Sequence, residues 1–299
     1  MTSGTTPAPV ATVASSDLRL PLGAALAAFG ALFAPTLGGL AREWWVNPDA
    51  GHGLLLVPLA AWLGYRVGLD HTSRPAPWAG LVVLAGSVLL RFAGALAVEL
   101  FSQRVAMLGG LAGLVLFFFG WRQLLRWWLP AVLLVLSIPL PAIVLNQLAL
   151  PLQLQASRMG AALLEWRRIP VRLAGNVILL PGHQLFVTEA CSGLRSLTAL
   201  ISLGVLLGAL WLRTPLLRVL LIIGAITMAV LVNAVRVFLT GFLVYFISPE
   251  MGTGFLHLSE GWLLFVVSLA VLGALTWMAR GLENRLAPGS DPVHGAVHG

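Results

Sequence analysis

Charge is what this chain has least of. Only 10% of its 299 residues are charged, against 59% hydrophobic, whereas roughly a quarter of the residues in an ordinary soluble domain carry charge. That excludes an ordinary soluble domain, and with a mean hydropathy of +0.93 the chain reads as a polytopic membrane protein. Lysine is missing altogether: all 18 basic residues are arginine, and they are scattered. With no basic run to bind a polyanion, the net charge of +7 excludes nucleic acid as an expected partner and reflects arginines near span ends in a lipid bilayer. A second cysteine is missing too, so Cys191 cannot enter an intramolecular disulfide. No His-Glu-x-x-His run occurs and no two halves repeat. The usual support for a metal-dependent intramembrane protease, or for a repeat-built solute transporter, is therefore lacking.

What is present is apolar sequence in runs. A span needs about 20 apolar residues, and eight candidates follow one another: Leu22–Leu40, Gly53–Gly68, Trp78–Val98, Val105–Gly120, Leu129–Leu145, Cys191–Leu212, Leu216–Ile247 and Leu258–Met278. The expected fold is all-α, a membrane domain over residues 20–285 with about eight transmembrane helices and a short extracytoplasmic hairpin and interfacial helix segment. Residues 1–19, rich in Thr, Ser, Ala and Pro, are expected to form a disordered cytoplasmic tail, and residues 286–299 a second disordered tail. With both termini inside, nine arginines from Arg19 to Arg285 fall in cytoplasmic segments, whereas the short outer loops hold only Arg42 and Arg104. That asymmetry is the expected sign of orientation in a cytoplasmic membrane. The run Leu216–Ile247 exceeds one span, which suggests a kink near Asn233 or Gly241.

Three polar residues converge in this topology. Cys191 opens the sixth span on the outer side. Arg236 lies some 20 residues into the seventh, which begins inside, and about 30 Å of helix carries it to the outer face. His257 precedes the eighth span on that same face. A thiolate nucleophile, an arginine to hold an oxyanion and a histidine to move protons suffice for peptide-bond attack and acyl transfer. A helix beginning near Cys191 would lower its thiol pKa, while burial in the membrane would raise it. No metal or cofactor is called for by this set.

The residues around this set carry a resemblance. It shows in His52-Gly53, Ile138-Pro139-Leu140-Pro141, Ile169-Pro170-Val171, Gly175-Asn176 and Leu180-Pro181-Gly182. It continues through Glu189-Ala190-Cys191-Ser192-Gly193-Leu194-Arg195, Asn233-Ala234-Val235-Arg236, and Gly254-Phe255 with His257 and Gly261-Trp262. Over roughly residues 50–265 the chain resembles the exosortase/archaeosortase family of membrane-embedded cysteine transpeptidases. The resemblance implies Cys191 as nucleophile, Arg236 as oxyanion and substrate stabiliser, and His257 as acid/base. It also implies a partner class: exported proteins whose C-terminal sorting signal is Pro-Glu-Pro, a membrane span and a basic end. Phe186 and Ser259-Glu260 depart from residues common in such families.

Arg172, Arg195 and Glu189 are the candidate substrate-binding residues. The two arginines can meet the glutamate of a sorting signal, and Glu189 can instead pair with Arg195, which is one turn down from Cys191. His183 competes as a base, but its place at a turn suits a solvated histidine. Ser192 competes as a nucleophile, but a hydroxyl ionises far less readily than a thiol. In the outer segment, Leu148–Trp166 suits a helix lying in the interface, and Asn176–Thr188 reads as two short strands about a type II turn at Pro181-Gly182. A multi-span transporter and a noncatalytic scaffold for envelope polysaccharide assembly are the competing functional readings. The scaffold would tolerate Cys191→Ala.

Overall fold

The computed structural model describes residues 15–47, 49–187, 194–248 and 254–286. Helix dominates: α1 (Ser15–Val46), α2 (Gly53–Val67), α3 (Pro77–Leu96), α4 (Leu100–Arg126), α5 (Trp128–Ser137), α6 (Ala142–Trp166), α7 (Leu194–Trp211), α8 (Pro215–Phe246) and α9 (Gly254–Leu286). One antiparallel sheet of β1 (Arg172–Ala174), β2 (Val177–Leu180) and β3 (His183–Phe186) lies between α6 and α7 in sequence. The expected tails lie outside the described residues except Ser15–Arg19, which begin α1, and Leu286, which ends α9.

Among the described residues, five helical segments are long and apolar enough to cross a membrane: Arg19–Val46, Pro77–Leu96, Leu100–Arg126, Pro215–Phe246 and Trp262–Leu286. Of three shorter apolar helices, Gly53–Val67 and Ser196–Trp211 match two further expected runs and Trp128–Ser137 covers only part of another. The fifth run, Leu129–Leu145, is not one helix. It stops at Ser137, after 10 residues and about 15 Å, because Pro139 and Pro141 cannot donate the next backbone hydrogen bonds. The run Leu216–Ile247, by contrast, is continuous as α8, with no helix break near Asn233 or Gly241. At 32 residues it is about 48 Å long.

The chain divides into two compact units, Met1–Ala41 with Asp70–Leu125 and Arg42–Leu69 with Arg126–Gly299. In the first, α3 and α4 meet through small residues, with Gly109 against Ser87 and Gly113 against Leu84. Close backbone approach of this kind holds helices together where lipid removes the hydrophobic drive. Arg91, inside the α3 span, donates from Nε to the Leu32 carbonyl at 2.9 Å and lies 5.8 Å from the Phe33 ring centroid. Its charge is thus met by a helix carbonyl and an aromatic face.

In the second unit α2 packs on α5, α6 on α8, and α7, α8 and α9 on one another. Leu200 of α7, Leu212 just after it, Leu221, Ala225 and Ala229 of α8 and Leu272 of α9 form one core. A second core joins Ala156 and Leu164 of α6 to Ile178 and Leu180 of the sheet and Val237 of α8. At the α6–α8 contact, a Cβ on Gly160 would fall 2.5 Å from a Val237 methyl, and one on Gly241 2.9 Å from a Leu164 methyl. The latter part of α6 is the helix expected in the interface. Gln155 and Arg158 are exposed as that reading requires, but Gln153 and Ser157 turn inward and are buried.

The hairpin of β2 and β3 matches the expected pair of strands, with Leu180 opposite His183 and Gly182 at φ +78°, the sign that a type II turn needs at its second central residue. The strand β1, paired with β2 from Arg172 opposite Leu179 to Ala174 opposite Val177, was not legible at three residues' length.

Glu283 near the end of α9 closes the other end of this bundle. Its carboxylate accepts from the backbone N–H of Arg213 at 3.1 Å and of Thr214 at 2.6 Å, just where α8 begins. A carboxylate there meets both unsatisfied donors and the positive end of the helix dipole. Glu283→Ala is therefore expected to destabilise the bundle by about 2 kcal/mol, the range of a hydrogen bond to a charged group. The check is a lower thermal denaturation temperature than the wild type in the same detergent; equal temperatures would discard the clamp.

Candidate functional site

Arg236 stands about 32 Å along α8 from its start, half-buried, between the buried Asn233 and Thr240. These three positions recur at three and four residues, so they share one face of a helix that is otherwise apolar. Thr240 donates from Oγ1 to the Arg236 carbonyl at 2.9 Å. An arginine this deep in an apolar helix is costly unless it has polar company, which is why such residues mark functional positions.

The neighbours of that turn follow from the packing. Gly208 of α7 lies against Arg218, and Gly204 against Ile222 and Ala225. Each step back along α7 is thus a step forward along α8, and the start of α7 at Leu194 reaches the level of the Asn233–Arg236 turn. Helix α9 also runs antiparallel to α8, with Leu275 near Gly224 and Glu283 at Thr214, so its start belongs to the same end of the bundle. On the other side, β3 packs on α8, and Val187 shares a core with Val237, the neighbour of Arg236.

Cys191, Glu189 and Ser192 lie outside the described residues, as do the side chains of Arg195 and His257. In the backbone, Arg195 is the second residue of α7 and His257 the fourth of α9. The described chain before and after Cys191 is accordingly anchored at the Arg236 level, at Val187 and at Leu194. Arg172 is exposed on β1, opposite Leu179, and His183 half-buried on β3, opposite Leu180. Among the described residues no group of three His, Cys, Asp or Glu side chains is placed to hold a metal ion.

The hydrogen bonding of two residues escaped the sequence reading. The first is Asn176. Its carbonyl accepts from the Val187 N–H at 3.0 Å, and its Nδ2 donates to the Val187 carbonyl at 3.2 Å. Both backbone groups of Val187, four residues before Cys191, are thereby tied to one asparagine. The motif Gly175-Asn176 was visible, but a side chain that grips a residue eleven positions away leaves no periodic signal.

The second is His52, at the N-terminus of α2. Two carbonyls at the end of α5 have no helical donor left, and the segment before α2 satisfies both. Trp44 donates from Nε1 to the Ser137 carbonyl at 2.8 Å, and His52 Nε2 lies 3.1 Å from the Leu136 carbonyl. Only glycine fits beneath the indole: a Cβ on Gly53 would fall 2.3 Å from Trp44 Nε1. The pairs His52-Gly53 and Ile138-Pro139-Leu140-Pro141 are thus two sides of one contact. Burial pushes the His52 pKa below 6.5, against the backbone of Leu136 and Asp49, which favour the charged ring. Beside His52 opens a cavity of about 250 Å³, lined by Glu43, Asp49, the α5–α6 link and by Thr198 and Ser202 of α7.

A family model described as transmembrane exosortase matches residues 44–274. No curated protein and no solved structure matches the chain.

Proposed function

Because the chain belongs to the transmembrane exosortase family, we propose that it is a membrane-embedded cysteine protease and transpeptidase, which cleaves the C-terminal Pro-Glu-Pro-type sorting signals of exported proteins. The observation that carries this reading is the anchoring of the chain on both sides of Cys191, at Val187 and Leu194, beside the Arg236 turn of α8. In this reading Cys191 attacks the scissile carbonyl, Arg236 holds the oxyanion and His257 protonates the leaving amine. Arg172 and Arg195 receive the glutamate of the signal, and Glu189 orients Arg195.

In this reading both termini are cytoplasmic and the site lies at the outer face of the cytoplasmic membrane. The arginine asymmetry supports that orientation. The test uses cells expressing the chain together with an exported reporter that ends in Pro-Glu-Pro, a span and an arginine-rich tail. The reporter is expected to lose its tail and shorten on a gel, and the same reporter without its export signal to stay full length. A reporter that is never shortened would overturn the activity. Shortening of the cytoplasmic form would overturn the orientation.

A further inference from the structure

Helix α1 holds a threonine that departs from the habit of this chain. Ser157, Ser202, Thr227, Thr240, Ser268 and Thr276 each donate from the side-chain hydroxyl to the carbonyl four residues back, at 2.7–2.9 Å, which satisfies a hydroxyl inside an apolar helix. Thr36 does not. It is 8% exposed, and its Oγ1 is buried with no hydrogen-bond partner among the described residues. The carbonyl four residues back is that of Leu32, and Arg91 of α3 already donates to it from Nε at 2.9 Å.

A carbonyl oxygen has two lone pairs. Within the helix one of those on Leu32 takes the backbone N–H of Thr36, so the other can serve the Arg91 guanidinium or the Thr36 hydroxyl but not both. Here the arginine holds it, and the hydroxyl is orphaned as a result. The turn is also loosened, because Pro35 inside α1 has no N–H for the carbonyl of Ala31.

The Arg91 side of this contact is equally open to exchange. Its guanidinium lies 5.8 Å from the ring centroid of Phe33, which is buried, and 6.0 Å from that of Phe92, which is 54% exposed. It therefore stands where the interior of the first unit meets the exposed apolar side of the α3 span. Among the described residues its partners are all neutral, a carbonyl and two rings, whereas a hydrogen bond to an anion is roughly twice as strong. Arg91 is five residues before the end of α3 at Leu96, about 7.5 Å of helix. An arginine at that depth can carry its charged head to the headgroups on its apolar stem.

From the contested carbonyl, the orphaned hydroxyl and the guanidinium at the edge of the unit, we infer that Arg91 is the phosphate-binding residue of a phospholipid site and that Thr36 is its stand-in on Leu32. When a lipid phosphate draws the guanidinium outward, Thr36 Oγ1 donates to the lone pair that Arg91 vacates. Lipid capture and release of the α1–α3 contact are thus one event. The occupant is a lipid and not a free phosphate ion, because the side of α3 beside Arg91 exposes Leu89, Phe92 and Leu96, where an acyl tail fits and a hydrated ion does not.

The test uses the full chain in dodecyl maltoside, a detergent without phosphate. With phosphatidylglycerol added, native mass spectrometry is expected to count one firmly held lipid fewer on Arg91→Leu than on the wild type. Dioleoylglycerol, which has the tails without the phosphate, should not fill that place, and inorganic phosphate should not empty it. Either event would overturn the phospholipid assignment. Thr36→Val removes the stand-in without touching the lipid, and is expected to weaken that lipid by roughly threefold or more, the worth of one net hydrogen bond. Equal lipid counts on Arg91→Leu and the wild type, or unchanged affinity in Thr36→Val, would overturn the site. Without lipid, Thr36→Val should raise the denaturation temperature of the wild type, whose hydroxyl is orphaned, and lower that of Arg91→Leu, where the hydroxyl holds Leu32. A shift in the same direction in both backgrounds would discard the exchange. Arg91→Met, with an unbranched stem, takes the place of Arg91→Leu if the latter fails to accumulate.

Discussion

Cys191→Ala is expected to abolish processing of a sorting-signal reporter completely, leaving it full length and membrane-anchored. The reason is arithmetic as well as chemical: this is the single thiol among 299 residues, so no other side chain can form the thioester on which the second half of the reaction depends. Ser192, its neighbour, is a poor substitute because a hydroxyl at neutral pH is almost wholly protonated. Cys191→Ser is accordingly expected to keep a trace of activity at most. Both variants should reach the membrane at wild-type abundance, since a small apolar residue serves a cysteine's packing role nearly as well. Reporter size is followed at matched membrane levels. Full shortening by Cys191→Ala would end the cysteine mechanism and favour the noncatalytic assembly reading, which tolerates that change.

The helical membrane class was legible because lipid leaves a chain few options: backbone groups must be satisfied internally, and that forces long apolar runs. Seven of the eight expected runs match single helices of the structure, two of them shorter than a full span. The exception, Leu129–Leu145, looks continuous to hydropathy because proline is scarcely polar. Its break at Ser137 comes from the donors that Pro139 and Pro141 lack. Helix α8 went the other way, since neither Asn233 nor Gly241 breaks it. An asparagine is tolerated there because the neighbouring helices bury it on the Arg236 face.

The site was legible only in part, and the division has a physical cause. Arg236 stands out in sequence because a charge within an apolar run is rare and expensive. Its level relative to the start of α7 follows from helix lengths alone, which hydropathy reads well. Asn176 and His52 do not stand out, because their roles consist of single hydrogen bonds to carbonyls far along the chain, at Val187 and Leu136. Glu283 was hidden for the same reason: a carboxylate at a span end looks like a solvated residue until the N–H groups of Arg213 and Thr214 are found against it. Periodicity reports which face is apolar, and says nothing about which distant carbonyl a polar tip will reach.

Arg236→Lys is expected to lower the rate of processing roughly a hundredfold or more, the effect of removing one oxyanion-hole donor. The substitution keeps the positive charge, so a purely electrostatic or headgroup-seeking role would be nearly unaffected by it. What lysine lacks is the planar fork, which presents two N–H groups at fixed spacing to a developing oxyanion. The shorter reach of a compact ammonium matters more here than at a surface. The flanking Asn233 and Thr240 are buried and Thr240 is already bonded to the Arg236 carbonyl, so the backbone at this turn has little room to follow the side chain. The loss should fall on the chemical step, with reporter binding kept and turnover reduced. In a cell assay this appears as full-length reporter that still co-purifies with the variant. Wild-type processing by Arg236→Lys would remove the oxyanion role and return Arg236 to a structural arginine of the α8 face. Loss of reporter capture together with turnover would instead move it from stabilising the transition state to binding the substrate.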